Sequence, residues 1–368
     1  VHAPFCARRC FYCDFAVEVR RTGDVAEWSR AVASELARRR DQGVVLAERL
    51  RTLYVGGGTP SLLGPEAMAK LADVLGSERL SAPDLEWTAE ANPESLTPEV
   101  ARGWRAAGVS RLSLGVQSFQ AAPLRWMGRL HGEDGAVGAV ATARAAGFEQ
   151  ISVDLIFALP GAVRRTWSED LDRAVALDVP HISLYGLTAE PGTGLGRGVA
   201  AGRVRMADEE RYRDEYLEAH ARLTAAGYRH YEVSNFARPG SESRHNVAYW
   251  DRSPYLGLGN GAHSFVAPVR WWNVRGWSAY RDTLDRGGDP SEAVEHLDRS
   301  GDHLEAIWTG LRTDRGLAVD AWPAPALESA RSWEARGLAT IRDGRVVLTA
   351  EGWLLLDSLA VEFDAAAG

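Results

Sequence analysis

The stretch Cys6-Ala7-Arg8-Arg9-Cys10-Phe11-Tyr12-Cys13 holds all three cysteines of the 368-residue chain, in the spacing C-x3-C-x2-C. Three is odd and the loop is short, so these residues cannot form a disulfide framework. Three thiolates in one loop can instead converge on a single inorganic centre. Zinc takes four ligands and would have to borrow a histidine, His2 or a distant one. An iron–sulfur cluster normally takes four thiolates. With three, one iron keeps an open position for a substrate or cofactor. The plain alternative is three unconnected structural cysteines, and the tight spacing weighs against it.

Working outward, Val1-His2-Ala3-Pro4-Phe5 reads as the end of a strand that runs straight into the cysteine loop. Native residues ahead of Val1 are therefore expected. After the loop, Asp24 and Glu27 form a capping-box signal for a helix from Val25 to about Arg40. Thr52 to Val55 is a short buried strand that ends in Gly56-Gly57-Gly58-Thr59-Pro60. A helix from Pro65 to Leu75 and a strand from Leu85 to Ala89 follow. Thr97-Pro98 starts a helix to about Ala107, then comes a strand from Arg111 to Val116. A helix from Asp134 to Ala146 precedes a strand from Ile151 to Phe157. Thr166 and Glu169 open a helix to about Leu177, and a strand from Ile182 to Leu187 closes the run.

Such strand–helix repetition implies a parallel sheet with crossover helices. Polar residues recur at the C-terminal ends of successive strands: the cysteines, Gly57 to Thr59, Glu90 and Asn92, Gln117 and Ser118, Asp154, and Thr188 with Glu190. Taken singly, each also has a structural reading as a turn or a backbone partner. Together they converge on one rim, as in barrel enzymes. A doubly wound sheet concentrates its site in one crevice. The expected fold is α/β, a partial six-stranded (β/α)6 TIM-like barrel over residues 1–195.

Residues 196–290 are expected to extend the barrel. They carry a long helix from Asp208 to Ala225 and an aromatic, polar segment with His245-Asn246-Val247-Ala248-Tyr249-Trp250 and the glycine-rich run before His263. Residues 291–368 suggest a winged-helix-like α+β module. That module has fourteen Asp and Glu against seven Arg, the wrong sign for a DNA-reading face. The whole chain has net charge −8, which also argues against nucleic acid as a partner. No run of about twenty apolar residues spans a membrane. Peripheral membrane contact stays open. Clustered free cysteines suit a reducing compartment, the cytoplasm.

These motifs resemble the radical S-adenosylmethionine (radical SAM) superfamily. Within it they resemble the branch of oxygen-independent coproporphyrinogen III dehydrogenase and the HemW-type heme chaperones. The resemblance covers nearly the whole chain. It rests on the cysteine spacing with Tyr12, on His2-Ala3-Pro4-Phe5-Cys6, on Gly56 to Pro60 and on Glu90-Ala91-Asn92-Pro93. It rests further on Gly115-Val116-Gln117-Ser118-Phe119 and Asp154 to Gly161. It implies a 4Fe–4S cluster on Cys6, Cys10 and Cys13, with the amino and carboxylate groups of S-adenosylmethionine on the fourth iron. It implies Gly57, Gly58 and Thr59 at the methionine end, Glu90 and Gln117 on its polar groups, and Arg129 on its carboxylate. Asp154 would meet the ribose and Thr188 the adenine. A low-potential donor, flavodoxin- or ferredoxin-like, would supply electrons. The family also places a tyrosine ahead of the residue that is Val1 here, a second reason to expect preceding residues.

Two features divide the branch. The dehydrogenase has another cysteine two residues after the third, where this chain has Phe15. The HNxxYW signature of the heme chaperones matches His245 to Trp250. The expected function is therefore to bind heme or porphyrin cargo and hand it to apo-hemoproteins, with His245 and Tyr249 as candidate heme contacts and His245 or His263 as the axial ligand. Radical decarboxylation of coproporphyrinogen III propionates is the alternative, and a radical methyltransferase is a third reading.

Overall fold

The computed structural model describes residues 1–319 and 322–368. Six parallel strands lie side by side in chain order: β1 (His2–Ala3), β2 (Thr52–Gly57), β3 (Glu86–Ala91), β4 (Arg111–Gln117), β5 (Gln150–Phe157) and β6 (His181–Gly186). Spatial order that follows chain order, with no reversal point, is barrel order and not doubly wound order. Two antiparallel strands continue the sheet past β6: β8 (Asn235–Ala237), then β7 (Arg229–Glu232). Among the described residues no pairing joins β7 back to β1, so the barrel is partial.

The strands are two-faced because side chains alternate with a period of two. Leu53 and Val55, Trp87 and Ala89, Leu112 and Leu114, and Ile151, Val153 and Leu155 are buried in one core, with the helices packed against them. The opposite set is polar: Thr52 and Tyr54, Thr88 and Glu90, Ser113, Ser152 and Asp154, Ser183. This is the barrel's inner face. Fully burying a side chain such as Trp87 or Trp104 contributes roughly 2–3 kcal/mol, so the outer core fixes the strands and frees their inner faces for polar work.

The helix starts follow their caps. Asp24 accepts from the Glu27 N–H and Thr97 from the Val100 N–H. The other half of the expected capping box is absent, because the Glu27 carboxylate pairs with Arg20 and Arg281 instead. Thr166 stands at the start of the helix Trp167–Ala176 but makes no side-chain cap. Its backbone is held by Gln120 on both sides, N–H to Oε1 and C=O to Nε2.

A second sheet joins β9 (His263–Val266), β10 (Val269–Asn273) and β11 (Ser291–His296), all antiparallel. It crosses the boundary expected at residue 290, since β11 pairs with β10. The glycine-rich run ahead of β9 lies on the free edge of β1, where the His2 N–H donates to Leu258 O at 2.7 Å. Buried Glu35, on the helix Val25–Asp41, anchors this segment. It accepts from the Gly259 N–H, Asn273 Nδ2 and Tyr280 hydroxyl at 2.8, 2.7 and 2.6 Å and pairs with Arg39. The last residues form the helices Arg299–Leu311 and Ala324–Ala335, the hairpin Ala339–Arg342 with Arg345–Leu348, and the helices Ala350–Trp353 and Leu356–Ala367. Leu317–Ala318 adds a third strand to that hairpin. Among the described residues no helix is long and apolar enough to cross a membrane.

Candidate functional site

The cysteine loop is tied down at both ends. Phe5–Cys6 pairs in parallel with Glu18–Val19, and the Thr59 N–H donates to Phe5 O at 2.8 Å. A turn brings the Cys13 N–H to Cys10 O at 3.1 Å. Phe11 packs edge-on against Trp126. All three thiols are free and partly accessible. Cys6 Sγ lies 3.3 Å from the Thr59 hydroxyl, and Arg129 Nη1 lies 3.9 Å from Cys10 Sγ. Burial pushes the Cys6 thiol up to about 11 and also raises Cys13. Among the described residues no three His, Cys, Asp or Glu side chains close on a point where one ion would sit. Phe15 projects outward with 60% of its surface exposed.

Arg129 is the hub of the neighbouring polar cluster. Its Nη2 donates to Asn92 Oδ1 and to Gly115 O, both at 2.6 Å, while its buried Nε has no partner. Asn92 Nδ2 in turn donates to Thr59 Oγ1 at 3.1 Å. A Cβ on Gly115 would come within 2.9 Å of Asn92 Oδ1 and 3.0 Å of Gln117 Nε2, so Gly115 makes room for both side chains. Gln117 ends β4 with φ of 69°, at a break in register with β5. A pocket of about 160 Å³ opens beside Cys10, Thr59, Asn92 and Arg129. Cys6, Cys10, Thr59, Gln117 and Arg129 thus form one group around the loop.

The glycines have partners within the protein. Gly57 has φ of 107°, and a Cβ there would lie 1.9 Å from the His2 ring; one on Gly58 would lie 2.7 Å from Ala3 O. Glu90 is fully engaged, accepting from the Tyr54 hydroxyl at 2.6 Å and the Gly57 N–H at 2.9 Å. Burial raises its pKa. Asp154 accepts from Ser113 Oγ at 3.1 Å on both oxygens. Burial pushes it up to about 7, the Glu90 charge adds to that, and the hydroxyls of Ser183, Ser113 and Ser152 oppose it. Thr188 stands apart on the surface, its hydroxyl on Gly186 O.

The HNxxYW segment forms the helix Arg244–Trp250, capped by Ser243. His245 faces the barrel. Its ring stacks on Tyr54 at 5.1 Å, Nδ1 meets Thr52 Oγ1 at 2.8 Å, and Nε2 meets the Tyr249 hydroxyl at 2.9 Å. Burial pushes it down to about 3. One turn later, Tyr249 and Trp250 line a different space, a cavity of about 710 Å³.

Ser113, Ser152 and Ser183 escaped the sequence reading as site residues, and Asn92 is read there only as a polar strand end with no role of its own. Their signal was available, as polar residues at every second position of otherwise apolar strands.

A family model described as "Radical SAM superfamily" matches residues 1–174. A protein named heme chaperone HemW from Mycobacterium tuberculosis is 39% identical over 365 residues, covering 98% of this chain and 92% of its own length. One of the same name from Bacillus subtilis is 34% identical, covering 86% and 84%. The chain belongs to the HemW branch of the radical SAM superfamily. A solved structure described as coproporphyrinogen III oxidase (HemN) from Escherichia coli superposes with a TM-score of 0.80, at 23% identity, over 99% of this chain and 88% of that one. This shows that the chain shares the fold of that structure. Membership in the superfamily implies a 4Fe–4S cluster and S-adenosylmethionine. The donor set fits both: three free thiols for three irons, and the Arg129 guanidinium with a spare N–H for a carboxylate.

Proposed function

We propose that this chain is a heme carrier that delivers heme to apo-hemoproteins. The observation that carries the proposal is its likeness, over nearly its whole length, to proteins named heme chaperones. Phe15, in place of a fourth cysteine, agrees with it.

Cys6, Cys10 and Cys13 hold the cluster in this proposal. Arg129 takes the carboxylate of S-adenosylmethionine, Gln117 and Thr59 border its methionine end, and Asp154 accepts from the ribose hydroxyls. Glu90 acts through Gly57 and Tyr54, whose N–H and hydroxyl it accepts at 2.9 and 2.6 Å. Thr188 remains the candidate for the adenine side. When bound, such a cluster supplies an electron to the sulfonium of its S-adenosylmethionine, so a flavodoxin- or ferredoxin-like donor is the expected electron source. The cytoplasm is the proposed location, since three clustered free thiols suit a reducing compartment.

The test is anaerobic reconstitution followed by two separate assays. Brown protein containing iron and sulfide, a hemin-dependent Soret band at stoichiometric heme, and no loss of carboxyl groups from coproporphyrinogen III are expected. Turnover of coproporphyrinogen without heme binding would overturn the carrier reading in favour of an oxidase.

A further inference from the structure

The cavity beside Tyr249 and Trp250 lies between a sheet face and two helices. Alternation places His263 and Phe265 of β9 on one face, while Ser264 between them is buried behind and bonds Gly257. Opposite His263 stands Trp272, and opposite Phe265 stands Arg270, with Glu295 next in the row. The other wall is helical: Trp250 from Arg244–Trp250, and Glu305, Trp308 and Thr309 from Arg299–Leu311. Beyond Trp272 the row ends in Ala293, which leaves that end of the sheet face shallow. A slot of about 710 Å³ lined by Trp250, Tyr255, Phe265, Trp272 and Trp308 has the volume and the aromatic walls for a planar macrocycle.

His263 is the exposed imidazole in this slot. Its ring stacks on Trp272 at 5.5 Å, and neither ring nitrogen is hydrogen-bonded to another described residue. His245 is the contrast, since both of its nitrogens already have protein partners on the barrel side. Iron in heme takes an axial ligand from a neutral imidazole with a free nitrogen. His263 meets that condition and His245 does not.

The polar end fits as well. Arg270 and Arg252 lie over Phe265, at 5.4 and 6.0 Å from its centroid. Arg270 pairs with Glu305 and Glu295, and Arg252 with Asp302 and Glu305. Heme propionates are carboxylates too, and can replace these side-chain carboxylates on the guanidinium groups.

We infer that this slot is the heme site and that His263 is the ligand to the heme iron, an inference that rests on the heme-carrier reading. The test titrates hemin into reconstituted wild type, His263→Ala, His263→Met, Arg270→Ala and His245→Ala, reading the Soret band and, by circular dichroism, the fold. His263→Ala is expected to bind hemin more weakly and to lose the wild-type Soret position, as removal of an axial ligand requires, with its fold intact. His263→Met is expected to bind with a shifted spectrum, as a changed ligand requires. Arg270→Ala is expected to weaken binding and leave the ligand spectrum unchanged. A wild-type spectrum and affinity in both His263 variants would overturn the site. So would a ligand change on His245→Ala but not on His263→Met. If wild type itself binds no hemin, the carrier reading fails first and this inference fails with it.

Discussion

Asp154 carries a proton at pH values where an ordinary aspartate has lost it, because burial pushes its carboxyl up to about 7. The folded protein therefore holds a proton that the unfolded chain releases near pH 4. Stability from this group is fully present below that value and is lost as pH rises through about 7. Asp154→Asn keeps the shape and removes the charge, so it should gain on wild type as pH rises from 5 to 8, by about 2 kcal/mol in urea unfolding of the ligand-free protein. A gap that stays constant across that range would show that the carboxyl is not perturbed. The ionised form is the better acceptor for two ribose hydroxyls. S-adenosylmethionine should accordingly bind wild type more tightly as pH rises through the same range, and isothermal titration should show Asp154→Asn losing that dependence. Arg129 is the second decisive residue. A lysine is shorter and lacks the planar guanidinium that lets Nη2 hold Asn92 Oδ1 and Gly115 O while Nε stays free for a carboxylate. Arg129→Lys should cost about 1–3 kcal/mol in stability and weaken S-adenosylmethionine binding. Binding equal to wild type would remove Arg129 from the carboxylate site.

Among the elements, the run Leu256 to Gly261 acts as a strap over the edge of β1, and an uncovered edge strand invites pairing with other chains. Gly259 has φ of 106°, and a Cβ there would lie 2.7 Å from His2 O. Gly259→Ala should destabilise the protein by about 2–4 kcal/mol, with faster hydrogen exchange at His2 and Gly56 before global unfolding. Unchanged exchange at those amides would show that the strap does not guard the edge. The six parallel strands were legible in the sequence because each is short, carries apolar residues at alternate positions and recurs between helix signals. Half of the site was legible for a related reason, since cysteine spacing and strand-end residues are local signals. The inner serines were not singled out, because a serine inside a strand says nothing until its neighbours across the sheet are known. β7 and β8 escaped because they are four and three residues long. β11 was assigned to the last segment because Ser-Glu-Ala-Val-Glu-His is mostly exposed and declares its partner only by pairing with β10.

Across the whole molecule, the cysteine loop and the slot share no lining residue, and the HNxxYW helix stands between them. The two sites should load independently. Replacing Cys6, Cys10 and Cys13 together by alanine should abolish iron and sulfide content while hemin titration still gives a Soret band of wild-type affinity. Loss of hemin binding in that variant would show that the cluster builds the slot.

The slot draws its walls from distant parts of the chain, β9 and β10 on one side and the helix Arg299–Leu311 on the other. A chain emerging from the ribosome folds its N-terminal part first. The cysteine loop is held by Glu18–Val19, the Thr59 N–H, Trp126 and the Leu195 N–H on Phe11 O, all of which precede residue 200, so it can be loaded before synthesis ends. Trp308 and Glu305 arrive about 100 residues after Leu195, and until then the slot has no roof. Chain order thus sets a timetable, in which iron–sulfur loading can precede the existence of a place for heme, and a prematurely terminated chain would carry the first cargo without being able to hold the second.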